Sequence, residues 1–111
     1  MSEAEKETLE IYADGASRGN PGPAGIGVLL CWKEKKKEIS RFIGQTTNNV
    51  AELTAIMEGL KAVRRKDLPV VLYTDSALCV GLLTSNWKAK AHPDLVRRIK
   101  ELMGSFQSLT I

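Results

Sequence analysis

The sequence predicts an α/β protein with a mixed five-stranded sheet and helices packed against it. Two observations support this prediction. Residues 8–44 contain three strand-like segments separated by short turns, which is typical of an antiparallel meander. From residue 48 onward, segments with helical periodicity alternate with apolar strand-like runs, which is typical of parallel strands joined through helices. We therefore expect the element order β-β-β-α-β-α-α-β.

The first half of the chain predicts three strands joined by short connections. Residues 8–14 alternate apolar and polar side chains, so we expect a strand with one buried face. Asp14 is expected at the end of this strand. The glycines and prolines of residues 18–23 predict a loop. The remaining segments are a strand over 24–32, a charged turn over 33–37 and a strand over 38–44.

The second half predicts three helices and two strands. From Asn48 the apolar residues recur at helical spacing, and Thr47 or Asn48 is placed to cap the first turn. Residues 68–75 form a continuous apolar run, typical of a strand covered on both faces, and Ser76 can cap the short helix that follows. The last two elements are a helix over 92–106 and a strand over 107–111.

Length and composition predict a single domain, residues 1–111, without membrane segments. A chain of 111 residues, 43% of them hydrophobic, is long enough for one core. No apolar run approaches the ~20 residues that span a bilayer. The charged start MSEAEKETLE lacks the apolar stretch of a signal peptide, so we expect a cytoplasmic protein. Cys31 and Cys79 lie in apolar runs, which predicts two buried reduced thiols without a function of their own.

Three carboxylates stand where the predicted fold would bring them together. Asp14 and Asp75 end two strands that we expect to be neighbours, and Glu52 lies at the edge of the helix face that packs on the sheet. Glu58, on the same helix, is expected to point into solvent. Each of the three alone has an ordinary explanation, as a turn aspartate, a helix cap or a rim glutamate. Together they would repel one another unless a hard cation such as Mg²⁺ neutralised them, and two such ions suit phosphodiester hydrolysis.

Further residues fit a nucleic-acid partner. The net charge of +3 includes a strongly basic segment, residues 61–100, which favours a polyanionic partner. Thr47 and Asn48 place a hydroxyl and an amide at a helix start, and helix N-termini often bind phosphate groups. Asn20 could reach a sugar or a base edge. Trp87 could lie against a backbone sugar, although a single tryptophan more often packs in a core or at its rim.

Three segments resemble, in the right order, the signature blocks of type 1 ribonuclease H: YADGASRGNPGPAGIGV, TTNNVAELTAIMEGL and VVLYTDSALCVGLL. A fourth segment, WKAKAHPDLVRRIKEL, resembles the stretch that follows them in the version without a long basic protrusion. The resemblance covers residues 8–111, and such a joint match is far more specific than any one motif.

The resemblance implies a ribonuclease H-like fold and Mg²⁺-dependent endonucleolytic cleavage of the RNA strand of an RNA–DNA hybrid, with Mn²⁺ as a substitute. It implies that the catalytic, metal-binding carboxylates are Asp14, Glu52 and Asp75. It implies that the hybrid is contacted by Ser17, Asn20, Thr47, Asn48, Ser76 and Trp87.

One departure from the family pattern concerns the C-terminus. Family members continue beyond the fifth strand into a histidine-bearing loop, a fourth metal-binding aspartate and a final helix, whereas this sequence stops at Ile111. We therefore expect the final helix to be absent, one metal site to lack a ligand and apolar surface on the sheet to be exposed. A shortened chain, a natural minimal form, and a homodimer or domain swap that covers the gap are three explanations.

Two functions from different classes remain open at this point. One is a hybrid-cleaving ribonuclease whose activity is impaired by the missing ligand. The other is a non-catalytic module, or a piece of a larger ribonuclease H, that binds hybrids or RNA. Three clustered acids would lower the affinity of a purely binding protein for a polyanion, and this favours the enzyme.

Overall fold

The computed structural model describes residues 8–85 and 92–111, and its elements follow the predicted order. A five-stranded mixed sheet is combined with three helices, which confirms the predicted fold class. The elements are β1 (Leu9–Ser17), β2 (Gly22–Trp32), β3 (Lys35–Thr46), α1 (Asn48–Lys61), β4 (Pro69–Tyr73), α2 (Ala77–Thr84), α3 (Pro93–Met103) and β5 (Ser108–Thr110).

The strands lie in the order β3-β2-β1-β4-β5. β1, β2 and β3 form the antiparallel meander, while β4 runs parallel to β1 and β5 parallel to β4. The expected pairing of the first strand with the fourth is confirmed, from Leu9 opposite Val70 to Tyr12 opposite Tyr73. The meander forms one edge of the sheet and the parallel strands the other.

The core lies between one face of the sheet and the helices. In β1 the residues Leu9, Ile11 and Ala13 are buried while the intervening side chains face the opposite side. Helix α1 packs across this face, because Leu53 and Ile56 on its apolar stripe are themselves almost fully buried. Removal of this apolar surface from water supplies the main driving force for the arrangement.

Several element boundaries differ from the predicted ones: β2 begins at Gly22 rather than 24, β4 ends at Tyr73 rather than 75, and three further differences have a clear physical reason. β1 continues past Asp14 to Ser17, because β2 offers it backbone partners along that length. β3 begins at Lys35, because Lys35 pairs with Trp32 and shortens the predicted charged turn. α3 ends at Met103 rather than 106, just before Gly104. The differences in β1 and β3 show cross-strand pairing overriding local sequence preference.

The sheet face away from the helices carries exposed aromatic side chains. Tyr12 and Tyr73 sit side by side on β1 and β4, with ring centroids 4.9 Å apart and an interplanar angle of 12°. They are 42% and 45% exposed, respectively. This agrees with the expectation of exposed apolar surface on the sheet.

The two cysteines differ in their surroundings. Cys79 is buried and free, and burial raises the pKa of its thiol, so it remains protonated at neutral pH. Cys31 is also free but only half-buried, so the prediction of burial is wrong for this residue. Its side chain lies on the outer face of β2, where the alternate residues of the strand are exposed or only half-buried. Within residues 8–85 and 92–111, no helix is long and apolar enough to cross a membrane.

Glu58 does not point into solvent as its place on the helix suggested. Its side chain is only 14% exposed, and it forms ion pairs with Arg41 on β3 and, at 3.3 Å, with Lys61 one turn later on α1. Burial by itself would raise the pKa of this carboxyl group, but the hydrogen bonds from Arg41 and Lys61 outweigh burial and hold the pKa below its ordinary value of 4.5. The ion pair therefore joins α1 to an edge strand.

We expect Glu58→Gln to lower the free energy of unfolding at pH 7, because its ion pairs are lost. The loss should be only about 0.5–1 kcal/mol, because solvent screens the exposed Arg41. A lowered pKa means that the carboxylate stabilises the fold above its ordinary titration range and loses this contribution as the pH falls through the lowered value. Urea denaturation at pH 7 and at pH 3 should therefore give a smaller difference at pH 3. Glu101→Gln on α3 is the exposed control, and equal differences at both pH values would contradict the assignment.

Candidate active site

A crevice opens beside β1 where β4 ends. The pairing of β1 with β4 stops at Tyr12 and Tyr73, while β1 runs on through Asp14 to Ser17 beside β2 only. Asp75 follows two residues after the end of β4 and immediately precedes the cap of α2. Among the described residues, β1 at Asp14 thus has no strand neighbour on the side of β4, and side chains from other elements can enter there.

Asp14, Glu52 and Asp75 meet in this crevice. Each contributes one carboxylate oxygen to a group whose members all lie within 4.8 Å of one another. Asp14 and Asp75 are exposed and Glu52 is half-buried. In the described part of the chain, no lysine or arginine forms an ion pair with any of them. The three acids singled out from the sequence therefore form one cluster.

The close approach of α1 to β1 is what brings Glu52 to Asp14. Gly15 lies directly under the helix backbone, and a Cβ atom placed on it would stand 2.2 Å from the carbonyl oxygen of Ala51 and 2.7 Å from the backbone nitrogen of Glu52. Only glycine leaves room for this contact. The Asp14-Gly15 pair thus supplies a carboxylate and the space that allows the second carboxylate to approach.

The cluster fits a hard divalent cation. All of its donor atoms are carboxylate oxygens, which Mg²⁺ prefers, and two of the three side chains open to solvent. Three negative charges within 4.8 Å of one another are most stable when a cation balances them. Asp14, Glu52 and Asp75 are the residues that would hold such an ion.

The loop between β1 and β2 is bound to the start of α1. The backbone N–H of Ser17 donates to Oδ1 of Asn48 at 3.3 Å, and the backbone N–H of Asn48 donates to Oδ1 of Asn20 at 3.0 Å. Thr47 caps the helix, because its hydroxyl oxygen accepts from the backbone N–H of Val50 at 3.3 Å. Four of the predicted contact residues therefore form one connected group beside the acids.

This group leaves hydrogen-bond donors for a ligand. Asn20 and Asn48 each use the amide oxygen inside the protein, which leaves the NH₂ group of each side chain for other partners. Both side chains are exposed. Amide donors at a helix start suit phosphate or hydroxyl oxygens.

Ser76 and Trp87 do not join this group. The Ser76 hydroxyl is buried and accepts from the backbone N–H of Cys79 at 3.2 Å, so it serves as the cap of α2 next to Asp75. The backbone N–H of Ser76 donates to the hydroxyl oxygen of Thr74 at 3.2 Å. Trp87 lies outside the described residues.

A groove on the outer face of the sheet extends from the acidic cluster and was not predicted from the sequence. It has a volume of about 600 Å³ and is lined by residues 14–18 of β1 and the following loop, 23–27 of β2 and 40–42 of β3. We call it the Asp14–Phe42 groove. The signal that could have revealed it is the alternation of Gly25 and Gly27 with buried Ile26, because two glycines on one face of a strand leave an open floor.

Comparison with known proteins agrees with this geometry. The family model for RNase H matches residues 6–109. The Ribonuclease H of Thermoanaerobacter sp. (strain X514) is 48% identical over 84 residues, which are 76% of this chain and 54% of that protein. The chain thus spans about half the length of the curated relatives it matches.

Two solved structures have the same fold. The N-terminal RNase H domain of rv2228c from Mycobacterium tuberculosis, fused to maltose binding protein, superposes with a TM-score of 0.85 and 34% identity, covering 94% of this chain and 79% of that one. LC11-RNase H1, which was solved in complex with an RNA/DNA hybrid, gives a TM-score of 0.83 and 35% identity, covering 92% of this chain and 81% of that one.

Proposed function

The chain belongs to the RNase H family, and from this premise we propose that it hydrolyses the RNA strand of RNA–DNA hybrids as a metal-dependent endonuclease. The observation that carries the proposal is the cluster of Asp14, Glu52 and Asp75 within 4.8 Å. The complex of LC11-RNase H1 with an RNA/DNA hybrid supports the choice of substrate. The exposed donors beside the cluster support contact with a polyanion.

Mg²⁺ is the metal we propose, with Mn²⁺ as a substitute. The three carboxylates would hold it, and a bound divalent cation supplies charge neutralisation at a phosphate and acidifies a water nucleophile. Glu52 is half-buried and lies on a rigid helix, so it fixes the position of the cluster. Asp14 and Asp75 are exposed, so they leave the substrate side of the cluster open.

The loop-helix group is proposed to orient the hybrid over the acids. The free NH₂ groups of Asn20 and Asn48 can donate to ribose 2′-hydroxyl or phosphate oxygens, while Thr47 keeps the start of α1 in place. The 2′-hydroxyl is the group by which a protein distinguishes RNA from DNA. Hydrogen bonding of this kind would select the RNA strand for cleavage.

The second candidate is a weakly active or inactive module that binds hybrids, because the chain spans about half the length of its curated relatives. The acidic cluster disfavours this candidate, since three carboxylates repel a polyanion when no cation is present.

Cleavage of a hybrid labelled separately on each strand tests the proposal. We expect the 111-residue chain to cut the RNA strand in Mg²⁺ or Mn²⁺, to leave the DNA strand intact and to stop when a chelator is added. The matched control is an RNA–RNA duplex of the same sequence, which should remain uncut. Hybrid binding without cleavage in either metal would instead establish the second candidate.

A further inference from the structure

Phe42 is the most exposed large apolar side chain in the described part of the chain. It is 70% exposed on β3, and no ring contact with another aromatic side chain is present within residues 8–85 and 92–111. An isolated exposed ring contributes little to the core. Phe42 lines the Asp14–Phe42 groove, whose opposite wall contains Asp14.

Strand alternation directs Phe42 toward the groove, because Phe42 pairs with Gly25 in the same register that pairs Ser40 with Gly27 on the outer face. β2 and β3 change register between Ala24, which pairs with Gly44, and Gly25, which pairs with Phe42, so Ile43 is the extra residue. Ile43 packs against the core. Phe42 therefore faces outward by regular alternation, and the bulge begins only beyond it, at Ile43.

The groove floor is open because β2 has glycine at two successive outward positions. A Cβ atom added to Gly27 would meet no heavy atom within 4 Å, and one added to Gly25 would meet only the Arg41 carbonyl oxygen at 3.4 Å. Packing inside the chain therefore does not require either glycine. The two residues instead keep a channel clear between Asp14 on β1 and Phe42 on β3.

The dimensions and chemistry of the groove suit a single strand. β1 and β3, which carry its two walls, lie two strand spacings or about 10 Å apart, a span in which one polynucleotide chain fits. Arg18 lines one end, is exposed and has no ion pair in the described part of the chain. A basic group that holds the backbone and an aromatic ring on which a base stacks are the features of single-strand binding sites.

We propose that the Asp14–Phe42 groove binds one unpaired nucleotide of the strand to be cleaved, with its base against the Phe42 ring and its phosphate near Arg18. This inference rests on the proposed function, which supplies the strand. The site predicts that the protein binds hybrids whose RNA extends beyond the duplex as a single strand more tightly than blunt hybrids. Phe42 is a substrate-positioning residue in this assignment.

Equilibrium binding to blunt and RNA-extended hybrids tests the inference. The measurement uses the Asp75→Asn chain, so that the substrate is not consumed, and two hybrids that carry three unpaired ribonucleotides at the 5′ or the 3′ end. We expect at least one extension to tighten binding about tenfold over the blunt hybrid. A fluorescent adenine analogue in that extension should be quenched on binding, because stacking on a ring changes its emission.

Substitutions at Phe42 separate stacking from general apolar contact. Phe42→Tyr keeps the ring and should keep the preference for the extended hybrid, whereas Phe42→Leu keeps an apolar side chain without the ring and should abolish it. Gly27→Val should also abolish it by filling the floor without a clash inside the chain. Thermal denaturation of each variant verifies that it is folded.

The outcomes separate this inference from the proposed function. Equal binding of blunt and extended hybrids by the Asp75→Asn chain, or a preference that persists when Phe42→Leu is added to it, would overturn the unpaired-nucleotide site. Failure to bind any hybrid, blunt or extended, would overturn the proposed function together with it. Tight binding of the extended hybrid, together with no cleavage of any hybrid by the parent chain in Mg²⁺ or Mn²⁺, would support the unpaired-nucleotide site and contradict the proposed enzymatic activity.

Discussion

Asp75→Asn should reduce cleavage of the RNA strand of a hybrid at least about 100-fold in Mg²⁺, because a charged group placed at a reacting centre contributes that much or more. Asparagine keeps the shape of the side chain and one oxygen but removes the negative charge. The cluster would then hold a divalent cation with two carboxylates, Asp14 and Glu52. Initial rates at saturating hybrid, measured beside the parent chain, provide the readout.

Metal-dependent stability provides a second readout that does not depend on activity. Mg²⁺ should raise the thermal midpoint of the parent chain, since a ligand that binds the folded state stabilises it, and should raise that of Asp75→Asn less. Asp94→Asn is the matched control, because Asp94 is exposed on α3 and pairs with Arg97 outside the cluster. Full activity of Asp75→Asn would contradict the assignment of Asp75 to the proposed metal site.

Gly15→Ala is expected to be among the most destabilising single substitutions in the chain, with a loss of about 3 kcal/mol in the free energy of unfolding. The new Cβ atom would stand 2.2 Å from the Ala51 carbonyl oxygen and 2.3 Å from its carbonyl carbon. Both are helix backbone atoms, so α1 as a whole must shift away from β1. Urea denaturation measures the loss, and displacement of Glu52 should lower hybrid cleavage at the same time.

Gly27→Ala is the control for this substitution. Gly27 also lies in a strand of the meander, but an added Cβ atom there meets nothing within 4 Å. We expect its stability to stay within about 0.5 kcal/mol of the parent chain. If Gly15→Ala proved as stable as Gly27→Ala, the close contact between β1 and α1 would not be required for the fold.

Most of the architecture could be predicted from the sequence because it follows from local patterns. The alternation in residues 8–14 identifies the buried face of β1, and the helical spacing after Asn48 identifies the face of α1 that packs on it. The caps could likewise be predicted, as Thr47 or Asn48 for α1 and Ser76 for α2, since they depend on residues three positions apart, and the structure selects Thr47.

The acidic cluster could be predicted as a set of residues but not as a geometry. The motifs around Asp14, Glu52 and Asp75 placed each acid at the end of a strand or on a packed helix. The distance between them depends on where the pairing of β1 with β4 stops and on how closely α1 approaches Gly15. Both are contacts between segments far apart in the chain.

Glu58 illustrates where local reasoning fails. Its position on the helix predicted solvent exposure, but the long strand β3 brings Arg41 alongside it. A helical wheel describes one element, whereas an ion pair between elements depends on the length of the neighbouring strand.

The sequence by itself determined the element order, the buried faces, the helix caps and the identity of the three acids, because these depend on side-chain type at spacings of two to four residues. The tertiary structure decided the length of β1, the crevice beside Asp14, the contact at Gly15 and the Asp14–Phe42 groove. These features depend on strand register and on the distance between helix α1 and strand β1. Both arise only when segments far apart in the chain satisfy their backbone hydrogen bonds and bury their apolar faces together.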